Sequence, residues 1–219
     1  MSGASVPYHL RPHKSVDRRL FLDLLMRLER WKPLMDYAYI SMGAYPLEDH
    51  KLVHRHLGID KLIAFDFDEK IVARQKFNKP VENCHCIAQK SGDFISNIDS
   101  IMATCSFSQA AGRIIWLDYT DPTKLGVQVR EFQALIGNLA IGDVVRVTVN
   151  AHPLSLSEPA VLNERRLSVE EMRERQFQKL KSIVKEFLPA DSSSADMTRD
   201  RLPVIISKSV SYTHLTLPT

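Results

Sequence analysis

Acidic residues follow several apolar runs of the sequence, at positions where a strand would give way to a loop. Asp66 and Asp68 follow "KLIAF", Asp93 follows "CIAQKSG", and Asp118 follows "RIIWL". An ionised carboxylate can accept hydrogen bonds from two neighbouring hydroxyls, such as those of a ribose, and it can also act as a general base. These positions therefore predict ligand binding or proton transfer at the end of the strands.

The spacing of two of these residues is typical of a nucleotide-like cofactor. Asp66 stands 23 residues beyond Gly43, the single glycine in the turn of "YISMGAYPLED". About 20 residues usually separate a cofactor-binding turn from the acidic residue that binds ribose. Asp66 is the predicted ribose ligand and Asp68 the second candidate. The alternative is that both residues only cap the helix that begins near Glu69.

The small number of glycines narrows the choice of cofactor. A G-x-G-x-x-G loop lets the backbone approach a pyrophosphate, whereas positions 45–47 here hold Tyr, Pro and Leu. NAD is therefore disfavoured. S-adenosylmethionine has no phosphate, so we expect it to tolerate this turn, with Ser41 and Gly43 as contacts and Gly92 and Asp93 after the third strand. A nucleotide-binding module without catalysis would leave much the same pattern.

The block "LDYTDP" supplies the predicted catalytic residues, Asp118 and Tyr119. Asp118 could take the proton of a hydroxyl acceptor or hold a metal. The block matches the D-P-P-Y motif of amino-group methyltransferases poorly, because its proline follows Asp121 and no aromatic residue follows the proline. The alternative role for Asp118 is a helix cap.

Strand-like and helix-like segments alternate along the chain, and this predicts how these residues are positioned. Such alternation predicts an α/β fold, a Rossmann-like, doubly wound and mostly parallel sheet with helices on both faces. An amphipathic covering helix precedes it, with Leu20, Leu24, Leu25, Leu28 and Trp31 on one face. The predicted strands are 37–42, 61–67, 83–88, 113–118 and 143–150, and the predicted helices between them are 47–57, 69–78, 94–102 and 123–139.

The predicted domain organisation has four parts. Residues 1–33 hold the covering helix, 34–155 the Rossmann-like core, and 156–209 a helix (168–187), a flexible loop (190–201) and a sixth strand (202–207), with the last strand of the sheet missing. Residues 210–219, "VSYTHLTLPT", correspond on reverse translation to a transposon-derived sequencing adaptor. We expect them to be non-native and the natural chain to continue differently after Ser209.

Composition excludes several classes of protein. The chain has 219 residues and 29 Lys and Arg against 26 Asp and Glu, so its charge indicates no nucleic-acid partner. No apolar run is long enough for a membrane span or a secretion signal, which predicts a cytoplasmic protein with reduced thiols. No metal site is predicted at "HKLVH" (50–54), because it lacks the Glu of H-E-x-x-H, and a partly exposed helical face is the favoured interpretation. None is predicted at "CHC" (84–86) either, because its cysteines point away from its histidine.

Five blocks of the sequence resemble a bacterial family of putative O-methyltransferases. The resemblance runs from about residue 8 to residue 153, and its LEDxKLxH and WLDYT blocks are the most specific. The chain departs from the family at the first turn, where members often carry a second glycine and this chain has Met42 and Ala44. The blocks are "LRPHKSVDRRLFLDLL" (10–25), "YISMGAYPLEDHKLVHRHLG" (39–58), "FDFDE" (65–69), "IIWLDYTDP" (114–122) and "VRVTVNAHP" (145–153).

The resemblance implies a class I methyltransferase fold with S-adenosylmethionine as cofactor. It implies that Gly43, with Ser41 beside it, contacts the methionine part, that Asp66 holds the ribose, that Asp93 lies near the adenine and that Asp118 faces the methyl group. The predicted function is methyl transfer to an oxygen of an unknown acceptor. A catalytically silent Rossmann-like module is the alternative, and an NAD-dependent oxidoreductase is a weaker one.

Overall fold

The computed structural model describes residues 12–157 and 167–215 and contains a five-stranded parallel sheet in the order β3-β2-β1-β4-β5. The order reverses direction between β1 and β4, which places β1 at the centre. The predicted Rossmann-like α/β class is confirmed. The strands are β1 (Ala38–Ser41), β2 (Lys61–Asp66), β3 (Cys84–Ala88), β4 (Arg113–Asp118) and β5 (Val144–Thr148).

Helices connect the strands close to the predicted positions. The predicted helix at 94–102 is wrong in one respect, because it is two helices that meet at Asn97. The side chain of Asn97 donates to the carbonyl of Asp93 at 2.8 Å and so competes with a continuous helix. The helices are α1 (Pro12–Glu29), α2 (Glu48–Leu57), α3 (Glu69–Asn78), α4 (Ser91–Ser96), α5 (Ile98–Thr104), α6 (Leu125–Gly137), α7 (Val169–Val184) and α8 (Arg201–Leu215).

The described residues form two compact units. The first runs to Leu117 and includes Ala140–Arg146, and the second comprises Asp118–Leu139 and the described residues from Val147 onward. In the first unit all of β1 and the middle of β2 are buried. Strands covered on both faces need apolar side chains throughout, as these sequences have.

Helix α1 packs through a different face from the predicted one. Leu25 is buried, but Leu20 and Leu24 are 63% and 50% exposed, and Trp31 beyond the helix is 90% exposed. Phe21 packs edge to face against Trp116 of β4, with ring centroids 5.5 Å apart. This large aromatic contact, together with buried Leu22, turns the Phe21 face inward and leaves Leu20 and Leu24 outside.

The predicted sixth strand at 202–207 is wrong, because this segment begins α8. Leu202, Ile205, Ile206 and Ser209 are buried, a spacing of three and four residues that matches one face of a helix. Pro203 lies in the first turn, where a missing backbone N–H is tolerated. The four predicted divisions of the chain, including the adaptor origin of residues after Ser209, stay predictions.

The segment before α8 is anchored in the second unit, although we predicted a flexible loop. Asp196 is buried and accepts hydrogen bonds from the N–H of Ser193 at 2.9 Å and from Nε of Arg201 at 3.0 Å. Met197 is buried beside it in the apolar core of this unit. A capping box starts α7, with Ser168 and Glu171 bonding each other's backbone N–H groups.

Candidate functional site

Three neighbouring strands of the first unit bring the predicted cofactor residues to the carboxyl end of the sheet. Ser41 ends β1, Asp66 ends β2, and Gly92 and Asp93 lie in α4 directly after β3. Ser41 pairs in register with Ala64 of β2, and Asp66 pairs with Ala88 of β3. Because the carboxyl ends of parallel strands lie on the same side of a sheet, the region around them is the candidate site.

A largely buried polar cluster, which the sequence analysis did not predict, adjoins the end of β1. We call Tyr39, Ser41, Asp49 and His50 the Asp49 cluster. Oδ2 of Asp49 accepts hydrogen bonds from the Ser41 hydroxyl at 2.5 Å and from the Tyr39 hydroxyl at 2.9 Å. Nδ1 of His50 lies 3.4 Å from Oδ1 of Asp49. The cluster joins the start of α2 to β1.

The Asp49 cluster holds an ion pair between fully buried His50 and Asp49, whose side chain is 12% exposed. Burial opposes ionisation of both groups, but each favours the charged form of the other. The net effect lowers the pKa of Asp49 well below its usual range and raises the pKa of His50. Burial and the nearby Asp49 raise the pKa of Tyr39, which therefore stays a neutral donor.

The prediction of a partly exposed helical face at 50–54 is wrong for His50. Its side chain is fully buried, and its Nε2 lies 3.1 Å from the carbonyl oxygen of Ile63. His54 is partly buried, with Nδ1 at 2.9 Å from the carbonyl oxygen of Ile59. The signal that could have revealed the cluster is the pair Tyr39 and Ser41, polar groups within an otherwise apolar central strand that need buried partners.

The single glycine of the first turn is closely packed. A Cβ at Gly43 would lie 2.8 Å from Cδ2 of Leu47 and 3.1 Å from Cε1 of His50. The carbonyl of Gly43 accepts a hydrogen bond from the buried side chain of Gln75 in α3. Leu47 itself adopts the left-handed region, with φ of 52°, which is rare for a branched side chain. Side chains from α2 and α3 therefore hold this turn tightly.

Two aspartates after β2 have different roles. Asp68 is the N-cap of α3, its Oδ1 accepting from the N–H of Lys70 at 2.8 Å. Asp66 does not cap the helix, and its Oδ1 accepts from the N–H of Asp68 at 2.9 Å. Partial burial raises the pKa of the Asp66 carboxyl group, although the backbone N–H groups of Asp68 and Phe67 lower it. Asp66 is thus a carboxylate at the strand end that helix capping does not use.

Asp93 lies on the first turn of α4 and is exposed, with Gly92 beside it. Phe94, the next residue, is buried and stacks on Phe65 of β2 with ring centroids 4.0 Å apart. This stacking fixes the start of α4 against the strand that carries Asp66.

The predicted catalytic residues belong to the second unit. Asp118 ends β4, and the cap of the following turn is Asp121, which accepts from the N–H of Thr123 at 3.0 Å. Tyr119 is buried, and its hydroxyl donates to Oε2 of Glu131 at 2.6 Å. The capping role that was the alternative for Asp118 is therefore filled by Asp121. The Tyr119 hydroxyl already has an acceptor within the protein.

Comparison with known proteins gives one clear result. A family model described as putative O-methyltransferase matches residues 6–215, most of the chain. No curated protein and no solved structure matches the chain. Among the described residues, no helix is long and apolar enough to cross a membrane.

Proposed function

The chain belongs to the putative O-methyltransferase family, which supports a methyltransferase function, and we propose that it transfers a methyl group from S-adenosylmethionine to an oxygen of an acceptor. The observation that carries the choice of cofactor is Asp66, the half-buried carboxylate at the end of β2 that does not cap α3. One carboxylate there can accept from both ribose hydroxyls.

The packing of Gly43 supports S-adenosylmethionine over a dinucleotide. In a pyrophosphate-binding loop, glycine leaves space for the phosphate to approach the backbone. Here Leu47 and His50 occupy the space beside the Gly43 Cα. The groups at these strand ends, a carboxylate that accepts hydrogen bonds and a tightly held turn, fit a cofactor with a ribose and no phosphate.

The other predicted contacts take specific forms in this proposal. The Ser41 hydroxyl is committed to Asp49, so Ser41 and Gly43 would contact the methionine part through their backbones. Exposed Asp93 would accept a hydrogen bond from the adenine. Asp68 keeps its role as the cap of α3.

S-adenosylmethionine, when bound, supplies an activated methyl group on a sulfonium ion. The acceptor oxygen must lose its proton, and Asp118 at the end of β4 is the proposed base that takes it at a carboxylate oxygen. Tyr119 would position this strand end, because its hydroxyl is bound to Glu131 and its N–H donates to the carbonyl of Thr148 at 2.9 Å.

Calorimetric titration of the purified chain with S-adenosylmethionine and, separately, with NAD tests the proposed cofactor. We expect heat of binding with S-adenosylmethionine and none with NAD. The opposite pattern would contradict the proposal and favour an oxidoreductase.

Transfer of a labelled methyl group to a panel of hydroxylated small molecules tests the reaction. With an acceptor in hand, Asp118→Ala should abolish most of the transfer while S-adenosylmethionine binding stays at the wild-type level. The matched control is Asp121→Ala, which removes a cap in the same loop and should retain transfer. Cofactor binding without transfer to any acceptor, by the wild type as well, would instead support a catalytically silent module.

A further inference from the structure

A cavity of about 720 Å³ lies beside β3, and its lining includes none of the candidate cofactor residues. β3 is an edge strand of the sheet, and the cavity continues between the end of α3 and α5. Its volume lies within the range of small-molecule pockets. It contains all three cysteines of the chain together with two lysines; the residues that matter are Lys76, Lys79, Cys84, Cys86, Ser100 and Cys105.

The three thiols of this cavity differ in burial and protonation. Cys84 and Cys105 are buried, whereas Cys86 is only half-buried. The neighbouring Cys84 thiol, followed by the positive charges of His50, Lys79 and Lys76, outweighs burial and lowers the pKa of Cys86 to about 7. The pKa values of the other two thiols are raised, Cys84 by the neighbouring Cys86 and by burial, Cys105 by burial. Cys86 is both the least buried of the three thiols and the one whose pKa is lowered, so it is the candidate nucleophile of this cavity.

The charges around Cys86 come from several elements and favour an anion. Lys76 lies in α3, and Lys79 follows that helix and donates to the carbonyl of Glu82 at 3.0 Å. Both lysines are exposed at the cavity wall. Glu82 is the acidic residue of the lining, and His85 and buried Cys105 complete its titratable groups, while His50 acts from α2.

We propose that Cys86 is a site of reversible modification, which forms a mixed disulfide with a low-molecular-weight disulfide that carries carboxylates. The Cys86 thiolate attacks one sulfur of the disulfide RS–SR, forming the bond Cys86–S–SR and breaking the S–S bond of the reagent. The bonding pair leaves on the other half as RS⁻, which takes a proton from solvent. Cys86 is oxidised and one RS group is reduced. The lysines attract the carboxylates of the reagent.

The geometry of the strand favours a stable mixed disulfide over an internal one. Cys84 and Cys86 are two residues apart in an extended strand, so their Cβ atoms are separated by about 6.5 Å. A disulfide requires Cβ atoms about 3.5–4.5 Å apart. Cys84 is thus poorly placed to displace the bound RS group from Cys86.

Intact-mass measurement of the reduced full chain, followed by peptide mapping, tests this proposal. The chain is incubated at neutral pH with oxidised glutathione, which is anionic, and in parallel with cystamine, which is cationic. We expect one adduct on Cys86, removed by a reductant, that forms about threefold or more faster with glutathione, the ratio expected from one exposed charge pair. Neither measurement depends on methyl transfer, so the outcome is independent of the proposed function.

Matched variants sharpen the assignment. Cys86→Ser should abolish the adduct and Cys105→Ser should leave it unchanged, while Lys76→Gln with Lys79→Gln should remove the preference for glutathione. The mapping on wild-type protein carries the test if a cysteine variant folds poorly. Absence of an adduct, modification of Cys84 or Cys105 at the rate of Cys86, a Cys84–Cys86 disulfide, or equal rates with both reagents would overturn the proposal.

Discussion

The ends of β1 and β2 are neighbours in the sheet but use their polar side chains differently. At the end of β1, Ser41 is 2% exposed and bonds within the Asp49 cluster. At the end of β2, Asp66 is half-buried and its side chain accepts a local hydrogen bond from the N–H of Asp68. The side chain at the end of β1 therefore holds a turn in place, whereas the carboxylate at the end of β2 is the one that we propose binds a ligand.

Removing Asp49 should have the largest effect, because it leaves a buried histidine and two buried hydroxyls without their acceptor. We expect Asp49→Ala to lower the free energy of unfolding by about 3–5 kcal/mol, as measured by urea denaturation. The neighbouring Glu48 forms a half-exposed pair with Lys51 at 3.5 Å, so Glu48→Ala should cost about 0.5 kcal/mol or less. Equal effects of the two variants would contradict the distinction.

Filling the space beside Gly43 should have the next largest effect. Gly43→Ala would force its Cβ against Leu47 and His50, and we expect a loss of about 1–3 kcal/mol in unfolding free energy. The control is Gly137→Ala in α6, where nothing lies within 4 Å of the added atom and helix propensity favours alanine by about 0.5–1 kcal/mol. A neutral Gly43→Ala would show that the turn is loosely packed.

The Asp49–His50 pair should make stability depend on pH. The contribution of His50, whose pKa is raised, is full below its ordinary pKa of 6.5 and is lost as the pH rises through the raised value. The contribution of Asp49, whose pKa is lowered, is full above 3.8 and is lost as the pH falls. We expect the stability difference between wild type and His50→Gln to be greatest between these values and to shrink above pH 6.5. A difference that grows at alkaline pH would contradict the pair.

Removing the Asp68 carboxylate should have a smaller effect than Asp49→Ala, that of an ordinary helix cap. We expect Asp68→Ala to cost about 1 kcal/mol through loss of the bond to the N–H of Lys70, measured by thermal or urea unfolding. A loss of S-adenosylmethionine binding in this folded variant would show that Asp68, too, belongs to the cofactor site.

The sequence predicts the strand ends well because apolar runs bounded by polar residues are a local signal. β4 has the predicted bounds of 113–118, and Asp66 ends β2 within one residue of the predicted end. Which of Asp66 and Asp68 caps α3 could not be predicted, because it depends on which carboxylate faces the first N–H groups of the helix.

The Asp49 cluster could not be predicted because its burial depends on contacts distant in sequence. The segment "EDHKLVH" is highly charged and is typical of an exposed helix, yet His50 packs against Tyr39 and reaches the carbonyl of Ile63 in β2. The prediction of a strand at "LPVIIS" was wrong for a different reason, because a short apolar run fits a strand or a buried helix equally well. Packing in the core of the second unit favours the helix α8.

The central claim, that the carboxylate at the end of β2 binds S-adenosylmethionine, is tested most directly by calorimetric titration of Asp66→Asn beside Asp68→Ala. Loss of a charged acceptor for the ribose hydroxyls should weaken binding about tenfold or more in Asp66→Asn, whereas folded Asp68→Ala should bind like the wild type. Wild-type affinity in Asp66→Asn would contradict the account.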